Sequence, residues 1–417
     1  MSQPRMVVIG AGIVGLCTAY ELARAGASVT VLDREPIGNA ASSGNAGLFS
    51  IGHYPLTRPG ASWRGLRWML DRTSPLWIRP SLSPALLKWL WTFHRHCDAA
   101  TTERALRTLC ALGWETIGAL ESMLDRERIH CHYERSGWLD IVCDEGKLDA
   151  AEAEGKSIAE FGYSTRRLSA RELREWDGAF TDRVAGAIHY TDTAILHPGL
   201  LMQGLAAAVA RQGVTLRFDA TVGSLARDLN GRCVGATLAS GEVVRGDTTV
   251  LASGIWSQGL AATVGVEVPM QPARGYHIQL DGVGRLPRTG GVLHETAVAF
   301  APMGSELRLA GTLEIAPLGR PWMRRRLDAI RRKAQACISG VEVAHVVREW
   351  AGYRPCTGDG MPVIGYARGV PGLYIATGHA MMGLMLGPVT GRIACADLLG
   401  TPLPVDEELL TTLRPRA

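Results

Sequence analysis

The apolar and polar positions near the N-terminus change period in quick succession. Met6, Val7, Val8 and Ile9 form a short unbroken apolar run, the pattern of a strand buried on both faces. Gly10-Ala11-Gly12-Ile13-Val14-Gly15 interrupts it with a tight turn, and Leu16 to Ala25 then has helical composition. Ser28-Val29-Thr30-Val31-Leu32 is a second strand closed by Asp33. This order predicts a β-α-β unit. In such a unit the first glycine permits the turn, the second lets backbone N–H groups approach a pyrophosphate, and the third lets the helix pack on the strand. The helix N-terminus then faces the phosphate charge, and Asp33 sits where a carboxylate accepts ribose hydroxyls.

Farther along, Gly137 to Val142, Tyr276 to Leu280, Ala297 to Phe300 and Leu307 to Ala310 read as antiparallel strands, whereas 61–135 and 145–180 read as helices. Thr249-Val250-Leu251 closes another strand, running into Gly254 and Trp256 near the expected pyrophosphate. The predicted fold class is α/β. A discontinuous Rossmann-like cofactor lobe is expected from 1–60, 191–270 and 345–417, and an α+β substrate lobe with an antiparallel sheet from 61–190 and 271–344.

The 417 residues, 47% hydrophobic and 20% charged, suffice for two cores. A net charge of +4 is too small to mark a nucleic-acid track. Nine cysteines without a C-x-x-C pair argue against zinc or a disulfide framework and fit reduced thiols in the cytoplasm. No metal is expected. The run Met6 to Leu16 is cut by glycines and has no small-residue cleavage site, so it reads as structure rather than a signal segment.

Three further stretches bring the cofactor into focus. Ser42-Ser43-Gly44-Asn45-Ala46-Gly47 is small and polar, as a backbone passing close to a cofactor must be. Gly352-Tyr353-Arg354-Pro355 leads through Asp359, Gly360 and Pro362 to Gly365, and Thr377-Gly378-His379 is followed by Met381, Met382 and Gly383. With Arg274-Gly275-Tyr276, Leu293 to Thr296 and Gly311 to Ile315, the set resembles the D-amino-acid oxidase superfamily, and most of all its bacterial D-amino-acid dehydrogenase branch. The resemblance spans nearly the whole chain, except about 97 to 190.

The resemblance implies FAD. Gly10, Gly12, Gly15 and Asp33 would hold its ADP half. Arg34, Ser42, Ser43, Asn45, Ala46 and Gly47 would line pyrophosphate, ribityl and ring, and Val222, in a stretch that also reads as a strand, would meet adenine. A helix from Gly378 through Met382, Gly383 and Leu384 to Leu399 would aim its N-terminal amides at the flavin pyrimidine. Cys356 does not match the cysteine that links flavin covalently in sarcosine oxidases, so the FAD is expected to be noncovalent.

It further implies that Arg354 clamps the substrate carboxylate, a task suited to a planar guanidinium. In the family, hydride leaves the substrate Cα for flavin N5, and the imine hydrolyses to a 2-oxo acid and ammonia, so no triad or carboxylate pair is required. His53, Tyr54, Tyr276, His277, Phe300 and His379 are candidates for orienting the amino group, each with an alternative as an ordinary packed residue. The expected substrate is a D-amino acid, with cyclic amines such as D-proline or cis-4-hydroxy-D-proline included. Alternatives are an oxygen-using glycine or sarcosine-type oxidase, a 2-hydroxy-acid dehydrogenase, and a noncatalytic FAD-binding subunit of a larger dehydrogenase.

Five of the 11 tryptophans (Trp63, Trp68, Trp77, Trp89, Trp91) lie between 61 and 96, where Arg64, Arg67, Arg72, Arg79, Lys88 and Arg95 face only Asp71. This reads first as a helical pair with Trp inside and Arg outside. The other reading is contact with the anionic inner face of the cytoplasmic membrane, where a dehydrogenase would deliver electrons to quinone or another respiratory-chain acceptor.

Overall fold

The computed structural model describes residues 3–49, 55–69, 71, 74–81 and 83–416. The N-terminal apolar run becomes strand Arg5–Ile9, buried at every position after the first, followed by helix Ile13–Arg24 and strand Ser28–Leu32. Because both faces of this sheet are covered, its strands need no alternation. Strand Arg5–Ile9 pairs in parallel with Ser28–Leu32 on one side and Thr248–Leu251 on the other. Thr215–Arg217, Leu373–Thr377 and the antiparallel edge Val363–Tyr366 complete a six-stranded sheet. The turn works because position 15 has no side chain: a Cβ there would lie 1.9 Å from the Gly10 carbonyl oxygen.

The second sheet is mostly antiparallel. Its order runs His345–Thr357, Met270–Asp281, Glu306–Ile315, Val298–Met303, Gly290–Leu293, Trp138–Val142, Gly186–Tyr190, Thr165–Ser169. Helix Arg324–Ala334 packs on strands Met270–Asp281 and Glu306–Ile315. The architecture is therefore α/β with an α+β lobe, as the sequence pattern predicts. Residues 345–357, grouped with the cofactor lobe above, pair from end to end with Met270–Asp281 in this second sheet. Their junction with the first sheet carries Arg354 to the boundary between the two.

The expected helices are interrupted at two points. Leu76–Ile78 is a strand, pairing in parallel with Leu313–Ile315, between helices Ala61–Trp68 and Pro84–Arg95. Thr165–Ser169 is an edge strand in which only Leu168 is buried, so it carries no alternation to read. The tryptophan stretch also departs from a Trp-in, Arg-out pair. Trp89 is core and Trp68 and Trp77 are half-buried, but Trp63 is 71% and Trp91 63% exposed.

Helix Gly383–Leu399 packs on both Ile13–Arg24 and Ala99–Glu127, and it contains Pro388. Proline removes an N–H from the ladder and its ring displaces the carbonyl of Leu384. The buried Thr116 hydroxyl enters the neighbouring gap, donating to the Met385 carbonyl at 2.6 Å and accepting from the Val389 N–H at 3.4 Å. Thr116→Val keeps the shape and leaves both groups without that partner. It should destabilise the fold by about 1–3 kcal/mol, read as a lower urea midpoint at unchanged m-value.

Candidate active site

Helix Ile13–Arg24 starts at Gly12 with no acidic side chain in its first turn, leaving the positive end open to an anion. Asp33, at the end of the second strand, accepts from the Ala11 N–H at 2.7 Å and the Glu35 N–H at 3.0 Å. Its carboxylate is thereby held beside the turn. The small-residue loop crosses this helix end, and the Ile13 N–H donates to Ser42 Oγ at 3.0 Å. Asn45 ties the same loop to the C-terminal segment, donating to the Met381 carbonyl at 3.4 Å.

Two buried side chains of the second sheet fix the loop from behind. Arg308, 1% exposed, donates to the Ser43 and Asn45 carbonyls at 3.1 and 2.6 Å and to Gln279 Oε1 at 3.0 Å. Burial draws its pKa down to about 10, so it stays charged at neutral pH. His277 Nδ1 lies 3.0 Å from the Gly44 carbonyl, and its ring stacks on Trp350 with centroids 5.1 Å apart. Arg308 carries no signal in the sequence. Its partners are carbonyls far away in the chain, which leave no motif.

Between these walls lies a cavity of about 620 Å³, within the usual range for ligand and cofactor sites. It brings together Gly10, Ala11, Gly12, Ile13, Val14, Asp33, Arg34, Ser42, Ser43, Asn45, Val222, Gly254, Trp256, Arg354, His379, Gly383 and Leu384. Trp350, Tyr353, Ala380 and Met381 also line it. Gly15, Ala46, Gly47, Gly378 and Met382 stand behind the lining, shaping the turns that present it. The C-terminal helix opens at Gly383 and not at Gly378, because Gly378 (φ +81°) and Ala380 (φ +48°) are left-handed. His53 and Tyr54 lie outside the described residues.

The Arg354 guanidinium lies beneath Gly275 of the neighbouring strand, where a Cβ would come within 2.4 Å of its Cζ. Its one hydrogen bond among the described residues is a long one, 3.4 Å to the Thr312 carbonyl, and no carboxylate of those residues pairs with it. Burial lowers its pKa. A guanidinium in such a setting favours an anionic partner.

Tyr276 is a correction to the candidate set. Strand alternation turns it to the opposite sheet face from Gly275, where it is fully buried. Its hydroxyl donates to the Glu314 carboxylate and accepts from the Met323 N–H at 3.3 Å. Phe300 is likewise core, edge-on to Phe180. His379 lines the cavity, but its Nε2 is 3.0 Å from Thr390 Oγ1, and burial pushes its pKa to about 3. It is neutral at working pH. Among the described residues no group of His, Cys, Asp and Glu could hold a metal.

Residues 5–396 match the family described as FAD dependent oxidoreductase. The chain is 31% identical over 423 residues to a D-amino acid dehydrogenase of Rhodopseudomonas palustris, covering 98% of this chain and 97% of that one. It is 31% identical over 408 residues to a D-amino acid dehydrogenase of Cereibacter sphaeroides, covering 96% and 92%. Among solved structures, glycine oxidase from Geobacillus kaustophilus superposes with a TM-score of 0.77 at 21% identity, covering 99% of both chains. The fit to FAD rests on this chain's own features: a helix end with no acidic residue in its first turn, a carboxylate pinned beside it, and Gly254 (φ +59°), where a Cβ would meet only open space.

Two outcomes test the site. Arg308→Leu should cost about 3 kcal/mol of stability, because three acceptors lose a charged donor. It should also loosen FAD roughly tenfold, read from flavin fluorescence on dilution, and Arg308→Lys should fall between because an ammonium lacks the planar fork. His277 and His379, whose pKa values fall from 6.5 to about 3, set an acid limit. Below pH 6.5 the unfolded chain takes up these protons and the folded chain does not, so stability is full above that pH and falls toward pH 3. Urea unfolding should lose about 2 kcal/mol per histidine between pH 6.5 and 5, and His379→Gln should remove one such share. With one cavity joining the glycine turn, the helix end and a buried arginine, and a family match over nearly its whole length, the chain belongs to the FAD-dependent oxidoreductases of the D-amino-acid oxidase family.

Proposed function

We propose that this chain is an FAD-dependent D-amino-acid dehydrogenase that binds its substrate by the carboxylate on Arg354 and oxidises the Cα–N bond to an imine, which water converts to a 2-oxo acid and ammonia. The observation that carries the proposal is the Arg354 guanidinium, lining the same cavity as the glycine turn with no carboxylate partner among the described residues. FAD, when bound, supplies the two-electron acceptor. Gly10 to Gly15 and Asp33 would hold its ADP half, Val222 its adenine, and Gly383 and Leu384 its ring. Arg354 fixes the substrate's position, and Trp350, Tyr353 and Met381 keep water from it.

The names of the curated relatives support the D-configuration. The apolar wall of Ala380 and Met381 suits compact side chains, including cyclic amines such as D-proline and cis-4-hydroxy-D-proline. His53 and Tyr54 are assigned to the amino-group side from sequence alone. A catalytic arginine argues against a noncatalytic subunit, because a structural flavin needs no carboxylate clamp.

The acceptor assigned here is a quinone at a membrane surface. No helix among the described residues is long and apolar enough to cross a membrane. Surface contact is supported by Trp63, Leu66, Leu87 and Trp91, all more than half exposed on two helices that meet where His94 lies 3.2 Å from Ser62. Lys88 is paired with Glu267 at 2.7 Å, leaving exposed Arg67 and Arg95 as nearby cations.

Anaerobic mixing of the holoenzyme with D-, L- and N-substituted amino acids tests the reading. D-amino acids should bleach the oxidised flavin band, and Arg354→Ala should cost about 2–5 kcal/mol in kcat/KM, roughly 30-fold or more, mainly through KM. A quinone analogue should be reduced faster than peroxide appears, and faster again with anionic vesicles. Bound flavin that no amino or imino acid reduces overturns the proposal.

A further inference from the structure

Outside the cavity, two thiols of the substrate lobe face each other. Cys143 Sγ and Cys337 Sγ are 3.1 Å apart although 194 residues separate them in the chain. Both are held from several directions. The Cys143 and Asp144 N–H groups both donate to Glu295 Oε1 at 3.0 Å, at the end of strand Trp138–Val142. On the other side, the Cys337 carbonyl accepts from the Thr181 N–H at 2.9 Å, and Thr181 Oγ1 donates to the Ala336 carbonyl at 2.7 Å. Phe180 and Ile338 form a bridge beside them. The two sulfurs are therefore presented to each other by fixed backbone.

We propose that Cys143 and Cys337 form a redox-active thiol pair, oxidised by a hydroperoxide to a disulfide that staples helix Arg324–Ala334 to the sheet. The roles differ by exposure. Cys143 is partly exposed and Cys337 is 5% exposed, so a hydroperoxide reaches Cys143 first. The Cys337 S–H, together with Arg183 and Lys147, favours the Cys143 thiolate, while desolvation and Glu295 oppose it; its pKa lies below the ordinary thiol value.

The Cys143 thiolate attacks the hydroperoxide, giving a sulfenic acid and, after proton uptake, an alcohol, or water where the oxidant is hydrogen peroxide. The Cys337 thiol then attacks the sulfenic sulfur, forming the S–S bond and releasing water, with its proton carried off on the departing hydroxyl. Two thiols lose two electrons and one hydroperoxide gains them. The sulfurs must close from their present contact to the roughly 2.05 Å of a disulfide bond. Oxygen reacting with a reduced flavin is a chemically sufficient source of such an oxidant. The pair thus lets the protein register, and withstand, hydrogen peroxide made in its own vicinity.

The test treats holoenzyme with hydrogen peroxide, quenches with catalase, alkylates remaining thiols in denaturant and maps the digest by mass spectrometry. A linked peptide joining Cys143 to Cys337 should appear, lighter than the two thiol peptides by two hydrogens and lost with dithiothreitol. The oxidised protein should melt a few degrees higher, because the bond closes a long loop. In Cys337→Ala, Cys143 should stop at the sulfenic acid and be captured by dimedone. The proposal is overturned if Cys143 and Cys337 are alkylated as fully as in untreated protein, if Cys143 runs on to sulfinic acid beside an intact Cys337, or if the first linked peptide joins half-exposed Cys97 or Cys395 instead.

Discussion

The structure depends on a buried guanidinium whose hydrogen-bond acceptors among the described residues are one side chain and two backbone carbonyls. Arg308 cannot shed its charge at neutral pH, and leaving it unpaired in the interior would cost several kcal/mol. The loop at Ser43 and Asn45 must therefore run where its carbonyls meet that group. This single requirement draws the N-terminal β-α-β unit onto the antiparallel sheet. The space between them is the cavity. His277 and Trp350 extend the same boundary by stacking, and neither carries charge into it.

Local features were readable from sequence because their causes are local. The glycine turn, the flanking strands and Asp33 lie within one β-α-β unit, so periodicity and steric demand define them together. Arg354 came through resemblance to a family, not from pattern, since one arginine in a polar stretch has no periodic signature. Arg308 left no trace, because its carbonyl partners stand 263 and 265 residues away. The strand Leu76–Ile78 was hidden by its shortness, and Thr165–Ser169 by its nearly all-polar exposed face.

Tyr276 shows a different limit. Its position in the chain is adjacent to Gly275, which makes room for Arg354, yet adjacency along a strand means opposite faces of a sheet. Only the register with residues 345–357 reveals which parity looks inward. The residue serves the other side, closing a buried group with Glu314 and the backbone of Met323. Arg274 shares that side with it, lying over the ring of cavity-lining Tyr353 at 4.7 Å, so the sheet beside the clamp is stiffened by polar contacts of its own.

The hydroxyl inserted beside Pro388 has a consequence for how this lineage tolerates changes in length. Each residue added to or removed from a helix turns everything beyond it by about 100°. Within Ala99–Glu127, a single insertion ahead of Thr116 would swing its oxygen away from the gap it fills and present a different side chain to the proline. Indels in this arm should thus be confined to its flanking loops, while the spacing between helix start and Thr116 stays constant among descendants.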